Sequence, residues 1–217
     1  MKDRELALLL QRGNALHRTL TEALPRFVDG GVDDRGTVAI DAGKVALEHA
    51  AAFRMMVAAG IEVSRQPLLR LQVQAVVRGA WALWCASERQ AEAVTSSVVC
   101  GSPLTSRELP SSLKQQQAVL ASERLPDDFR HVLAELPTSF WGAESESSFH
   151  NLGYYNAERS FEADADFLRY SVQFSNQVLM LAFKLILIGD GKLELLEAVD
   201  RAGLTSQPEV AAAASLH

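Results

Sequence analysis

The stretch from Ser64 to Ser87, SRQPLLRLQVQAVVRGAWALWCAS, constrains the fold more than any other part of the chain. Leu69, Val73, Val76, Val77, Ala80, Trp81 and Trp84 recur at three- and four-residue steps. That spacing stacks side chains on one face of a helix. A helix with so wide an apolar face, carrying two tryptophans, belongs at the centre of its fold. Arg70, Gln74 and Arg78 also fall four apart and form a polar stripe beside that face. Two guanidinium groups next to a buried surface call for partners, because an unpaired charge is costly to remove from water.

The rest of the chain reads as further helices. Leu6, Leu9, Leu10, Leu16, Leu20 and Leu24 line one side of a first helix over Asp3 to Leu24, ended or kinked by Pro25. Asp29 to Gly36, DGGVDDRG, reads as a flexible connection. A second helix is expected over Val38 to Ala59, with Gly60 closing it in a left-handed cap. Ser64 is the expected N-cap of the central helix, which would leave Pro67 in the tolerant first turn. A weaker helical pattern follows from Glu88 to Val99, and Gly101 to Pro110 is a loop. Ser111 to Arg124 suits a mostly solvated helix, and Pro126-Asp127-Asp128 opens a short one that stops before Pro137. Thr138 to Ser148 has no period and reads as a loop. The late helix, Phe161 to Ile188, is apolar nearly all round in its last two turns, which implies burial on several sides. Asp190 is expected to cap a last helix ending near Arg201. No alternating strand pattern, internal repeat or low-complexity block is present. The expectation is an all-α, single-domain bundle of five to eight helices over residues 1–202, with 203–217 as a frayed tail.

Composition narrows the class. A chain of 217 residues is long enough for one well-filled core. A net charge of −6 argues against a general affinity for nucleic acid or an anionic membrane, and no run of Lys and Arg would track a phosphate backbone. The most hydrophobic segment, Val178 to Ile188, is interrupted by Lys184 and is shorter than the roughly 20 residues a membrane span requires. The five-residue apolar run Leu6 to Leu10 is too short for a signal-peptide core. Cys85 and Cys100 stand in no metal or redox spacing and read as reduced thiols. A cytoplasmic protein is the expectation.

A search for catalytic patterns leaves little. There is no phosphate loop, no G-x-S-x-G elbow, no H-E-x-x-H and no pair of Glu-x-x-His segments. His49 is alone on an apolar helix, where a structural role outweighs metal ligation. Neither a metal nor a cofactor is expected. What remains is a constellation: Arg70, Gln74 and Arg78 on the central helix, with His150, Tyr154 and Arg159 near the start of the late one. If those helices pack side by side, forked guanidinium donors converge on one anionic group. A neutral His150 could then move protons near pH 7. The plainer reading pairs each arginine with a carboxylate, Glu48, Glu158 or Glu162. Trp81 and Trp84 lie on the aliphatic face and read as core.

The run PLLRLQVQAVVRGAWALWCAS, followed by SFHNLGYYNAER, resembles a family of uncharacterised bacterial all-helical proteins. That family carries an R-x7-R-x2-W helix and a later F-H motif, and the resemblance covers about Gly43 to Ala198. The chain departs from the pattern twice. Gln74 stands where the family has a glutamate between the two arginines, and Asn151-Leu152 follows His150 where the family has two glycines. More distantly the chain is similar to HEPN-type bundles and to abortive-infection proteins of the AbiV kind. Many HEPN proteins are dimeric ribonucleases with an R-x(4–6)-H motif. Literal matches occur at Arg12–His17 and Arg124–His131, against about one expected by chance for this composition. Two functions follow as expectations. The first is a non-enzymatic interaction or anionic-ligand-binding module, regulatory or defence-associated, whose partner is a small anion or a protein. The alternative implied by the resemblance is a metal-independent ribonuclease with His150 and Arg78 as catalytic residues. Surplus apolar surface on the late helix suits either a homodimer or a deep core.

Overall fold

Asp33 starts the second helix four residues earlier than periodicity suggests. Its carboxylate accepts from Gly36 N at 2.8 Å, and the helix runs Asp34–Ala58. Asp33 to Gly36, read as the end of a flexible connection, are therefore a cap and a first turn. The computed structural model describes residues 2–23, 32–101, 103–136 and 165–206. Within them the chain is all-helical: α1 (Lys2–Ala23), α2 (Asp34–Ala58), α3 (Glu62–Trp84), α4 (Glu88–Cys100), α5 (Ser112–Ala121), α6 (Asp127–Ala134), α7 (Ala165–Gly189) and α8 (Leu196–Ser206). Among the described residues there is no strand. The expected loop over 138–148, the FHNLGYYNAER segment and the first residues of the late helix lie outside them, as do Leu24, Pro25, Asp29 to Gly31 of the expected connection, and 207–217.

The helix boundaries follow local chemistry. Gly60 closes α2 at φ +69°, and Ile61 N donates to Met56 O. Only a residue tolerant of the left-handed region ends a helix this way without strain. α3 begins at Glu62, so Ser64 is inside it rather than capping it, and Ile61 offers no side-chain cap. Pro67 is then in the second turn, where its missing N–H leaves the Val63 carbonyl without that helical donor. Ser87 and Gln90 form a reciprocal capping box that starts α4, and Gly101 ends it at φ +66°. Asp190 does not cap the last helix. Gly191 turns the chain at φ +74°, a 3-10 turn over Leu193–Leu195 follows, and α8 runs on to Ser206.

Four long helices make the core. α2 runs antiparallel to α3 and to α7, whereas α1 and α3 run parallel to α7. Glycines permit these helices to approach closely. An ideal Cβ on Gly43 of α2 would stand 2.5 Å from Ile186 Cγ1 and 2.8 Å from the Ala182 carbonyl of α7. One on Gly79 of α3 would stand 2.9 Å from Leu185 Cδ1 and 3.2 Å from Ala42 Cβ. The expected α3 face is buried at Leu69, Val73, Val76, Val77, Ala80 and Trp81. Trp84, half-buried, meets Phe129 of α6 edge-on at 5.0 Å. α7 uses its apolar surplus inside the chain: Val172, Val178, Leu179, Leu181, Phe183, Leu185 and Ile186 are all buried. Its stretch Leu168–Gly189 is 22 residues long with mean hydropathy 1.5, long and apolar enough by composition to cross a membrane. Two thirds of that window is buried inside the bundle, the position of a core helix.

α5 is less solvated than its sequence suggests. Gln115 and Gln116 are buried, their amides donating to Pro110 O at 2.6 Å and Leu133 O at 3.0 Å. Arg130 of α6 donates to Leu120 O and Ser122 O, satisfying carbonyls at the C-terminal end of α5. Lys184 of α7 bridges Asp128 of α6 and Asp200 of α8, each at 2.5 Å. Its ammonium is almost buried, and the two carboxylates outweigh desolvation to raise its pKa.

Candidate functional site

The polar stripe on α3 divides into three different environments. Arg70 is half-buried and has an interaction partner. Gln74, two helical turns' midpoint between the arginines, is also half-buried. Arg78 is exposed, and among the described residues it has neither a hydrogen bond nor an ion pair. The protein around it removes enough water from the guanidinium to lower its pKa. Glu48, one of the acids the plainer reading offers it, is exposed on α2 and is not its partner. His150, Tyr154 and Arg159 lie outside the described residues, as do Glu158 and Glu162.

A second polar centre escaped the sequence reading. Arg54 of α2 is 2% exposed and has no carboxylate partner among the described residues. Its Nε donates to Asn14 Oδ1 at 2.9 Å, and its Nη2 lies 2.9 Å from His17 Nδ1, both on α1. Nη1 is buried with no hydrogen-bond partner. Burial pulls the Arg54 pKa down to about 10, so the group stays cationic near neutrality. For Nδ1 of His17 to accept, the ring must be neutral with its proton on Nε2. Burial first, and the neighbouring Arg54 charge second, lower the His17 pKa and favour that neutral ring. Asn176 of α7 completes the cluster, with a buried Oδ1 that no donor meets. A signal for this centre was present in the sequence. Arg54 falls on the buried register of Leu47, Ala50 and Val57, where a guanidinium is out of place.

Gln72 is a second missed polar residue. It is fully buried between α3 and α7, donating Nε2 to Ser175 O at 2.8 Å and accepting from Ser175 Oγ at 2.7 Å. Every one of its partners is supplied by the opposing helix, so it registers the two helices and offers nothing to a ligand.

Other candidates are structural. His49 is half-buried, and desolvation lowers its pKa against the opposing pull of Glu48. Among the described residues no group of three His, Cys, Asp or Glu could hold a metal ion. Burial pushes the Cys85 thiol up, away from the reactive thiolate. Of the two R-x(4–6)-H matches, His17 faces Arg54 rather than serving a pair with Arg12. His131 lies on the surface, 3.4 Å from Glu135.

A family model described as a family of unknown function (DUF6988) matches residues 43–204, well over half of the chain. The span overlaps the stretch that carries the resemblance to uncharacterised helical proteins, and it begins inside α2, so α1 falls outside it. No curated protein and no solved structure matches the chain.

Proposed function

The chain belongs to the DUF6988 family, whose function is unknown, and from its own residues we propose a non-enzymatic module that binds an anionic ligand or the acidic surface of a protein partner. The observation that carries this reading is Arg78: a cation on the central helix, exposed and without an internal partner among the described residues. A guanidinium in that position offers forked donors to an incoming carboxylate or phosphate. Partial loss of water around it strengthens such a contact relative to one in bulk solvent. Gln74 one turn away supplies a neutral donor, and His150, Tyr154 and Arg159 are the further proposed ligand-binding residues. The acidic overall charge favours a discrete anion over a nucleic-acid backbone. The resemblance to abortive-infection bundles extends the proposal to a regulatory or defence-associated role.

The test is binding of a short fluorescent oligoglutamate, followed by anisotropy with wild type and Arg78→Ala. A loss of affinity of at least about fivefold on removing Arg78 supports the reading, the size expected for one charge-assisted contact at a partly exposed site. No binding by wild type, or equal binding by both proteins, overturns it. Pure protein incubated with mixed RNA in EDTA tests the ribonuclease alternative. Cleavage that disappears in both His150→Ala and Arg78→Ala replaces the binding module with a nuclease.

A further inference from the structure

Apolar exposure is concentrated on one helix pair. Among the described residues seven large apolar side chains are exposed, and four of them, Val45, Met55, Ile61 and Leu71, lie on α2, on α3 or in the turn that joins them. The two helices meet α7 at Gly43 and at Gln72. Val45 and Gln74 each come two residues later, about 200° round the helix, so both point away from α7. Val45, Glu48, Ala52 and Met55 run as one stripe along α2, and Leu71, Gln74 and Arg78 as another along α3. All are exposed except Ala52 and Gln74, which are half-buried.

The charges on this outer face complement one another across a copy of it. Asp41 and Lys44 of α2 pair with each other at 3.9 Å, whereas Glu48 and Arg78 form no ion pair among the described residues. An ideal Cβ on Gly79 would stand 3.2 Å from Ala42 Cβ, which puts the two helices level at those residues. Because they run antiparallel, Arg78 is level with Gly43, and Glu48 stands about 7 Å further along α2. Val45 lies between the two charges.

We propose that the outer face of α2 and α3 pairs with the same face of a second copy of the chain, about a twofold axis passing near Val45. A twofold interface sets residue i against j and j against i. Here it brings each copy's Arg78 to Glu48 of the other and lays Val45 on Val45 at the centre. The inference rests on the reading of Arg78 as a cation that meets an acidic protein surface, and it names that surface. A second copy suits the face better than a polyacidic partner does. The latter would satisfy Arg78, but it would repel Glu48 and leave the apolar stripe in water.

Sedimentation velocity of the full chain over a concentration series tests this with wild type, Glu48→Arg, Arg78→Glu and the variant carrying both changes. Wild type should show a monomer–dimer equilibrium. Each single reversal sets like charges against each other twice and should weaken dimerisation at least about tenfold. An equimolar mixture of the two single variants should recover it, because one chain then offers only cations to the face and the other only carboxylates. Recovery in the mixture also shows that neither variant is misfolded. The double variant exchanges the charges and should dimerise by itself. Arg18→Glu on the exposed side of α1 makes the same change in net charge as Arg78→Glu and should leave the equilibrium as it is. The proposal is overturned by wild type that stays monomeric up to about 100 μM, by single reversals that weaken dimerisation no more than Arg18→Glu does, or by a mixture that fails to recover. If monomeric wild type still binds oligoglutamate through Arg78, the acidic surface belongs to a different protein. If it binds none, the Arg78 reading falls as well.

Discussion

Replacing Ser175 by Ala strands a polar atom in the middle of the bundle. Gln72 is 0% exposed, and its Oε1 accepts the Ser175 hydroxyl while its Nε2 reaches the Ser175 carbonyl. Deleting the hydroxyl leaves Oε1 desolvated and unmatched, which costs about 1–3 kcal/mol. For a chain of this length each kcal/mol shifts the melting temperature by roughly 2–4 °C. Gln72→Leu should cost less, about 1 kcal/mol, because a helical serine can turn its hydroxyl back to a carbonyl of its own helix. The double variant removes both ends of the interaction and fills the space with apolar atoms. It should therefore be more stable than the sum of the single losses predicts, with a coupling of about 0.5–3 kcal/mol. Urea unfolding of the four proteins, at a common slope, measures this cycle. Additivity of the two single losses to within about 0.5 kcal/mol would refute the claim that Gln72 and Ser175 hold each other.

Acid should loosen the docking of α1. The His17 pKa is lowered in the folded state, so the unfolded chain binds more protons as pH falls below about 6.5. The stabilisation is therefore present above that pH and is lost as pH drops through the lower folded-state value. Melting curves from pH 8 to 5 should show a steeper decline for wild type than for His17→Gln, whose amide oxygen can still accept from Arg54. Gly43→Ala should destabilise by about 1–3 kcal/mol despite the better helix propensity of alanine, because the new methyl meets a backbone carbonyl that cannot yield. Asp33→Ala should cost about 1 kcal/mol by removing the α2 cap, read from the denaturation midpoint. Arg78→Ala should change stability by less than about 0.5 kcal/mol, since the side chain is exposed and unpaired among the described residues. A loss of several kcal/mol on thermal or chemical unfolding would mean that Arg78 is paired internally.

The all-helical class, the central place of α3 and the buried face from Leu69 to Trp81 follow from the order of residues alone, because helical periodicity is a property of neighbours three and four apart. Gly60 and the Ser87–Gln90 box likewise act within one turn. Where the reading failed locally, two competing signals stood side by side: Asp33 caps a helix from within a glycine-rich stretch, and Ser64 resembles a cap inside a helix. Tertiary structure alone decided which polar residues matter. Asn14 and His17 reach Arg54 across about 40 positions of sequence, and Ser175 reaches Gln72 across 103. Such partners depend on the rotation and register of one helix against another. Close packing at Gly13, Gly43 and Gly79 sets both, and no pattern within a single helix encodes them.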